Sequence, residues 1–568
     1  MLKQGTGRPR DGRPAVRAGR SRVGDLLLAV LGGLITDMAF PSRSWWPLAY
    51  VGIAVLLLAL RRDSVIWGWL VAFSWGLGFF LPHLWWANPA VGEPIGWIAL
   101  SLAQAAMVAP FGVGAVLAGR VGWIRARPWV WIGAMAVLWV AVETVRARWP
   151  FGGLPWGTLA FSQTEAPLVR LAPLGSTTLV SAAVVVIAAA LLCTGQRLVR
   201  KGVNRQALMW SGVAGLLALG PVLIPLPDGA ENGTVRIGAV QGNVPEQGAE
   251  ALSQARQVTA NHAAGTHALL DHVQPGELDL VLWPESSADI DPRSDPELGR
   301  LVDEAASAVA APILVGTQRL LADPDAPAND PDRRTRYNES FVWEPGGGPA
   351  SDLVYAKQHP VPFGEYIPYR DFFRLFTDAV DLVSIDMLAG TEPGMLDIPM
   401  LEGEENLALG VGICFEVAYD GIVREAVLEG GELVVIPTNN ASYDRTALSA
   451  QQLAMSRFRA VEHSRTVVQI STMGLSAIVA PSGEMLEETE LWTADQMVAT
   501  VPLRTSLTPA ALLGRWPGVV LLMLAGLVVV QGLVITVHRR RREPRANGVL
   551  APIPTSVQEG SQDASVSR

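Results

Sequence analysis

Two different hydrophobic patterns divide the chain. Between residues 24 and 225, long apolar runs are broken only by short connections. A hydrocarbon layer of roughly 30 Å takes about 17–25 helical residues to cross. Runs of that order read at about 24–40, 46–60, 64–86, 95–119, 128–145, 174–195 and 207–225, with an eighth at 510–537. The first two are short. Trp45 and Trp46 sit between them as interfacial anchors, which favours two spans over one hairpin dipping into the membrane.

From about 233 to 503 the pattern changes to short β-rich runs alternating with helical stretches. Strands are expected at 235–244, 278–283, 312–316, 340–343, 353–357, 407–414, 433–437, 466–471, 476–480 and 497–501, and helices near 246–273, 296–310, 419–429 and 446–464. The run Leu433-Val434-Val435-Ile436 has no polar break, which predicts burial on both faces. Other strands alternate or meet at turns such as Pro481-Ser482-Gly483, so a mixed sheet covered by helices is expected. The chain therefore reads as a polytopic α-helical membrane bundle of about eight spans that carries one α/β domain. Its parts are a basic tail at 1–23, spans one to seven at 24–225, the α/β domain at 230–504, span eight at 510–537 and a basic, Pro- and Ser-containing tail at 538–568 that reads as disordered.

Composition agrees. Of 568 residues, 50% are hydrophobic and 17% charged, which excludes a disordered or nucleic-acid-coating chain. The charge is unevenly placed. Residues 226–508 hold 43 acidic and 17 basic side chains, against 10 acidic and 27 basic in the remainder. An acidic, water-facing domain is set in a basic, apolar frame. The basic residues Arg61, Arg62, Arg120, Arg125, Arg127, Arg197, Arg200, Lys201 and Arg205, with the run 539–542, fall in the even-numbered connections and the last tail. Those segments are expected in the cytoplasm, with both termini, and the α/β domain on the extracytoplasmic face. Arg146, Arg148 and Arg170 after span five are exceptions. The N-terminal arm and apolar run resemble a secretory signal, but no small-x-small site follows, so an uncleaved first span is expected.

Within the bundle, Glu143 and Arg146 are spaced to pair on one helical face, and His83 lies close to an interface. The segment 147–173, which contains Trp149-Pro150-Phe151-Gly152-Gly153-Leu154-Pro155-Trp156, is too broken by Gly and Pro to span. It is expected in the outer interface, as a packed loop or a lipid-contacting lid.

Three strand ends carry reactive side chains. Trp283-Pro284-Glu285 runs a buried strand into a proline and leaves Glu285 at the carboxyl edge, where sites form in α/β sheets. Partial desolvation there suits a general base. Tyr355-Ala356-Lys357 presents one of only three lysines in a chain with 41 arginines. An amine retained where every other cation of the domain is arginine argues for a compact point charge that a guanidinium does not imitate. Glu365 follows eight residues later in a Pro/Gly-rimmed loop, either orienting Lys357 or lying on the surface. Gly412-Ile413-Cys414-Phe415-Glu416 delivers Cys414 from a strand into a turn and helix, the geometry of a nucleophile elbow. The helix start and a nearby amine are expected to lower the thiol pKa, and the Phe415 N–H to face a developing oxyanion. Cys193, the other cysteine, lies within span six and reads as structural. No metal-ligand spacing and no dinucleotide or phosphate-loop motif is present.

Glu, Lys and Cys in this order, each at a strand end, resemble the triad of the nitrilase (carbon–nitrogen hydrolase) superfamily, whose fold is an α-β-β-α sandwich. Such a domain between a seventh and an eighth span is similar to the apolipoprotein N-acyltransferase family. Val240-Gln241-Gly242-Asn243-Val244-Pro245 and the 360–368 stretch fit it too. The resemblance implies Cys414 as nucleophile, Glu285 as general base, Lys357 as oxyanion stabiliser, and Glu365 and Glu416 as supporting acids. It implies no cofactor, a bacterial inner-membrane location, a phospholipid acyl donor such as phosphatidylethanolamine, and a diacylglyceryl-apolipoprotein acceptor acylated by ping-pong chemistry. Two positions depart. The family usually has Tyr after the cysteine, where this chain has Phe415. It often has Trp shortly after the Gln-Gly-Asn stretch, where this chain has Glu246-Gln247-Gly248-Ala249. A membrane-tethered amidase using the same triad is the alternative.

Overall fold

The computed structural model describes residues 21–244, 251–323, 326, 332–400 and 406–542. The basic arm before residue 21, the Glu246–Ala249 stretch, part of the charged 323–335 segment and the tail from 543 onward lie outside the described residues.

Each apolar run is a helix: α1 Arg22–Asp37, α2 Pro47–Ala59, α3 Val65–His83, α4 Pro94–Arg120, α5 Pro128–Arg146, α6 Ala172–Lys201 and α7 Arg205–Leu219, with Trp516–Arg542 as the closing helix. Six of these regions are long and apolar enough to cross a membrane. The other two, α1 and α2, have 16 and 13 residues. At 1.5 Å per residue they reach only about 24 Å and 20 Å. α1 packs tightly against α3, where a Cβ on Gly33 would lie 2.2 Å from the Trp75 carbonyl oxygen, and α2 packs against α1, where a Cβ on Gly52 would lie 2.0 Å from Thr36 Oγ1.

Ion pairs gather the basic connections. Asp25 at the start of α1 takes Arg62 at 2.6 Å, and Asp63 takes Arg120 at 2.6 Å and Arg539 at 3.9 Å. The start of α1, the α2–α3 turn, the end of α4 and the end of the closing helix thus share one end of the bundle.

Among the described residues the α/β domain contains two six-stranded sheets. The first runs in the order β12-β1-β2-β3-β4-β5 and the second β11-β10-β9-β8-β7-β6. Their ranges are β1 Thr234–Gln241, β2 Leu280–Leu282, β3 Ile313–Ala322, β4 Arg334–Glu344, β5 Gly348–Ala356, β6 Met395–Ile398, β7 Leu407–Val411, β8 Leu433–Thr438, β9 Thr466–Ser471, β10 Ala477–Val479, β11 Met485–Glu488 and β12 Asp495–Pro502. In each sheet three parallel central strands, β1-β2-β3 and β7-β8-β9, are flanked by antiparallel neighbours.

Side-chain alternation explains the layering. Leu280, Leu282 and Leu314 join one core with Leu409, Val411 and Val434 of the second sheet. Val281, Trp283, Ile313 and Val315 point the other way, into a core with Ala263 of helix Ala251–Ala268 and Val302 of helix Pro296–Val309. The second sheet is backed by helices Asp420–Leu428 and Leu448–His463. The result is the expected α-β-β-α sandwich.

Two strands were not expected. Met395–Ile398 and Met485–Glu488 have four residues each and pair only at the sheet margins, so neither carries a core-length apolar run. Helix Leu448–His463 is buried almost throughout, because its far side meets the membrane helices instead of solvent. Phe458 stacks edge-on against Phe161.

The 147–173 segment is a packed loop for most of its length. Trp156, Leu159, Ala160, Phe161 and Gln163 are buried, while Trp149 remains 63% exposed. Glu143 and Arg146 hold this segment separately. Glu143 Oε1 accepts the Leu159 N–H at 2.9 Å, and Arg146 donates to the carbonyls of Leu154 and Trp156 at 2.9 and 2.6 Å. The expected pairing of the two is replaced by these contacts because the folded-back loop presents closer acceptors and donors. His83 is buried, with its Nδ1 3.1 Å from Asp37 Oδ1.

Candidate active site

Glu285, Lys357 and Cys414 converge from three strand ends. Pro284 stops the β2 ladder and turns Glu285 inward, where it is 5% exposed. Its Oε1 accepts from Asn338 Nδ2 at 2.6 Å and Lys357 Nζ at 3.3 Å. Its Oε2 accepts the Asn439 backbone N–H at 2.8 Å. Lys357 follows β5 and is fully buried. Its Nζ donates to Glu365 Oε1 at 2.6 Å, and Glu365 Oε2 accepts the Val361 N–H at 2.7 Å. Glu365 therefore orients the amine and does not lie on the free surface. Burial disfavours the Lys357 charge, but the carboxylates of Glu285 and Glu365 outweigh it and raise the ammonium pKa well above the usual lysine range.

Cys414 opens the short turn Cys414–Ala418 just beyond β7. Its φ of 56° lies in the left-handed region, a strained conformation for a non-glycine residue and one that recurs at functional sites. Thr438 Oγ1, at the end of the neighbouring strand β8, lies 3.5 Å from Sγ. The lowered thiol pKa expected from the sequence is not found. Burial and the negative charge of Glu285 push the thiol up to about 12, although Lys357 and Thr438 pull the other way. A thiol so placed favours the protonated form near neutral pH.

Glu416 is buried behind the turn and ties its parts together. Oε2 accepts the Ile413 N–H at 2.6 Å and the Tyr355 hydroxyl at 2.9 Å; Oε1 accepts the N–H groups of Gln358 and His359 at 2.8 and 2.9 Å. One carboxylate thus fixes the Cys414 turn to the loop that follows Lys357.

The profile of apolipoprotein N-acyltransferase N-terminal domains matches residues 32–190, and that of carbon–nitrogen hydrolases matches residues 237–507, which enclose all three residues. An apolipoprotein N-acyltransferase of Mycolicibacterium smegmatis is 36% identical over 548 residues, covering 92% of this chain and 87% of that protein. The chain belongs to the apolipoprotein N-acyltransferase family. The Azotobacter vinelandii member is 29% identical over 544 residues, covering 92% of this chain and 96% of its own, and the Photobacterium profundum member is 25% identical over 510 residues, with 87% and 92% covered.

In this member of the acyltransferase family, Phe415 closes an aromatic wall beside the thiol. Its ring centroid lies 4.7 Å from Trp156, 5.6 Å from Trp86 and 5.9 Å from Tyr443. Both tryptophans come from the membrane part. The sequence reading missed Asn338, Thr438, Asn439, Trp86, Trp156 and Tyr443. Thr438-Asn439-Asn440 carried a usable signal, a polar run directly after an apolar strand. Trp86 and Trp156 carried none, because only the docking of loops onto the domain brings them to the site.

Proposed function

We propose that this enzyme transfers a fatty acyl chain from a membrane phospholipid, such as phosphatidylethanolamine, to the free α-amine of the N-terminal diacylglyceryl-cysteine of apolipoproteins. The observation that carries the reading is the convergence of buried Cys414, Glu285 and Lys357 behind an aromatic wall to which the membrane part contributes Trp86 and Trp156.

In the first half-reaction Sγ attacks the ester carbonyl while Glu285 takes the thiol proton. The negative charge that develops on the carbonyl oxygen is met by the Lys357 ammonium and the Phe415 N–H. Collapse expels the lysophospholipid alkoxide, which takes the proton from Glu285 and leaves a Cys414 thioester. In the second half-reaction the neutral amine attacks the thioester and gives its proton to Glu285. Collapse forms the amide and expels the thiolate, which Glu285 reprotonates. Glu365 holds the amine of Lys357, and Glu416 holds the turn. Burial of the thiol beside the aromatic wall disfavours water, which would hydrolyse the thioester.

The reading includes eight spans, both termini in the cytoplasm and the catalytic domain outside the bacterial inner membrane. The clustering of Arg62, Arg120 and Arg539 at one end of the bundle supports it, since His83, Arg146 and the catalytic domain meet at the other end.

The test is to incubate the purified chain with a phospholipid carrying a tagged acyl group. The expected result is a hydroxylamine-labile adduct on Cys414 that is absent from Cys414→Ala. It should be discharged by a diacylglyceryl-cysteine peptide and only slowly by water. Rapid discharge by water would replace this reading with an amidase.

A further inference from the structure

Beside the turn that follows Cys414, lined in part by Ala418, Tyr419 and Asp420, lies a cavity of about 740 Å³. Cys414, Glu285 and Lys357 do not line it. Its walls come from the ends of three membrane helices, through Thr144, Thr177 and Trp516, and from the catalytic domain through Tyr419 and Asp420. These helix ends lie beside the domain, with Trp149 and Trp516 63% and 61% exposed as interfacial anchors. The cavity therefore opens at headgroup depth.

Its charges sort into two groups. The inner carboxylates already have partners: Asp420 and Glu462 share Arg459, which donates to Asp420 Oδ1 at 2.6 Å, and Glu143 accepts the Leu159 N–H and the Trp139 indole N–H, both at 2.9 Å. Ser176 and Thr177 close the remaining side of Asp420. The outer charges are unspent. Arg148, Arg424 and Arg515 line the cavity, and among the described residues none has a carboxylate within ion-pair distance. Arg148 donates to the Thr144 carbonyl and Arg424 to the Ala511 carbonyl. Gly514, at φ 51°, keeps space for Arg424: a Cβ there would lie 2.6 Å from its Cζ. Glu425 lines the same cavity, and among the described residues it has no cation within ion-pair distance.

We infer that this cavity binds the headgroup of a zwitterionic phospholipid, its phosphate held by Arg148, Arg424 and Arg515 and its ammonium by Glu425. Guanidinium forks match phosphate oxygens in pairs. One carboxylate beside three such cations provides the second pole that an ammonium needs. The lipid seated there would press on Tyr419 and His359, whose rings are 3.9 Å apart.

The experiment uses the full chain as Cys414→Ala, so that no acyl transfer occurs, and is independent of the proposed acyl-transfer reading. Delipidated protein is titrated with phosphatidylethanolamine, phosphatidylglycerol and inorganic phosphate, with bound molecules counted by native mass spectrometry. The expected result is tighter retention of phosphatidylethanolamine, weakened about tenfold in Arg148→Gln/Arg515→Gln. Glu425→Gln should erase its advantage over phosphatidylglycerol. Both variants replace exposed residues, and an unchanged melting temperature verifies the fold. Equal retention by the double variant would overturn the inference. So would arginine-dependent uptake of inorganic phosphate without lipid, which would assign the site to a free anion.

Discussion

Trp156 lies over Phe415, with ring centroids 4.7 Å apart and planes inclined at 31°. Trp156 belongs to a loop of the membrane bundle, and Phe415 is the residue after Cys414, the proposed nucleophile. Trp156 is held at both ends. Its indole N–H donates to Gln451 Oε1 at 2.7 Å, and its carbonyl accepts from Arg146 at 2.6 Å. The reactive centre is therefore shared between the two halves of the chain. Truncating this ring removes a fully buried aromatic, a loss of about 3–5 kcal/mol. Trp156→Ala should lower the rate of adduct formation on Cys414 at least tenfold, and Trp156→Phe, which keeps the stacking, much less. Equal rates for Trp156→Ala and the parent chain would show that the wall is not part of the site.

The neutral thiol gives Glu285 a distinctive signature. With the Cys414 pKa pushed up to about 12, the thiolate fraction at neutral pH is too small to sustain reaction, and a base must act in the transition state. General bases of this kind contribute about 10²–10⁴-fold. Glu285→Gln should slow adduct formation by that order. The residual rate should then climb about tenfold per pH unit between pH 7 and 9 as thiolate accumulates, whereas the parent rate stays nearly flat. A parallel pH dependence in both proteins would remove Glu285 from the role of base.

Glu416 makes four hydrogen bonds as acceptor and none as donor. Glu416→Gln keeps the shape but turns one oxygen into a donor facing N–H or O–H donors. At least two charge-assisted bonds are lost, at roughly 1.5–3 kcal/mol each. The melting temperature should fall, and adduct formation should fall further than in a surface variant of equal stability. Rescue of activity by lowering the temperature alone would reduce Glu416 to a packing role.

What could be read in advance follows from physical range. Strand cores such as Leu433–Thr438 announce themselves by unbroken apolar runs, and Pro284 and the Cys414 turn mark strand ends through local chemistry. Glu285, Lys357 and Cys414 were therefore legible. Asn338 and Asn439 were not, because their role is to complete a carboxylate that lies far away in sequence. The thiol pKa was misjudged because the nearby amine is visible in the sequence, while the burial and the Glu285 charge that overcome it exist only after folding. The short α1 and α2 show the same limit: their apolar pattern marks helices, but the packing of α1 on α3 and of α2 on α1 determines how they sit.

Acid sensitivity follows from His262. Its Nδ1 lies 2.7 Å from the Val258 carbonyl, its ring stands 5.7 Å from Trp283, and its buried Nε2 has no hydrogen-bond partner among the described residues. Burial lowers its pKa to about 4. An unfolded histidine titrates near 6.5, so the unfolded chain binds this proton first as pH falls. The stability contributed by keeping His262 neutral is fully present above about pH 6.5. It is lost between there and about pH 4, below which both states carry the proton. At pH 5 the loss is about 2 kcal/mol. His359 and His463, lowered by burial to about 4 and about 3, act in the same direction. Asp289, raised to about 6 by burial and by Glu285, acts against them. His262→Gln removes one of these contributions and leaves the others. Its unfolding free energy, followed by tryptophan fluorescence, should therefore drop about 2 kcal/mol less than the parent's between pH 7 and pH 5. Identical drops would mean that His262 takes up its proton as readily in the folded chain as in the unfolded one.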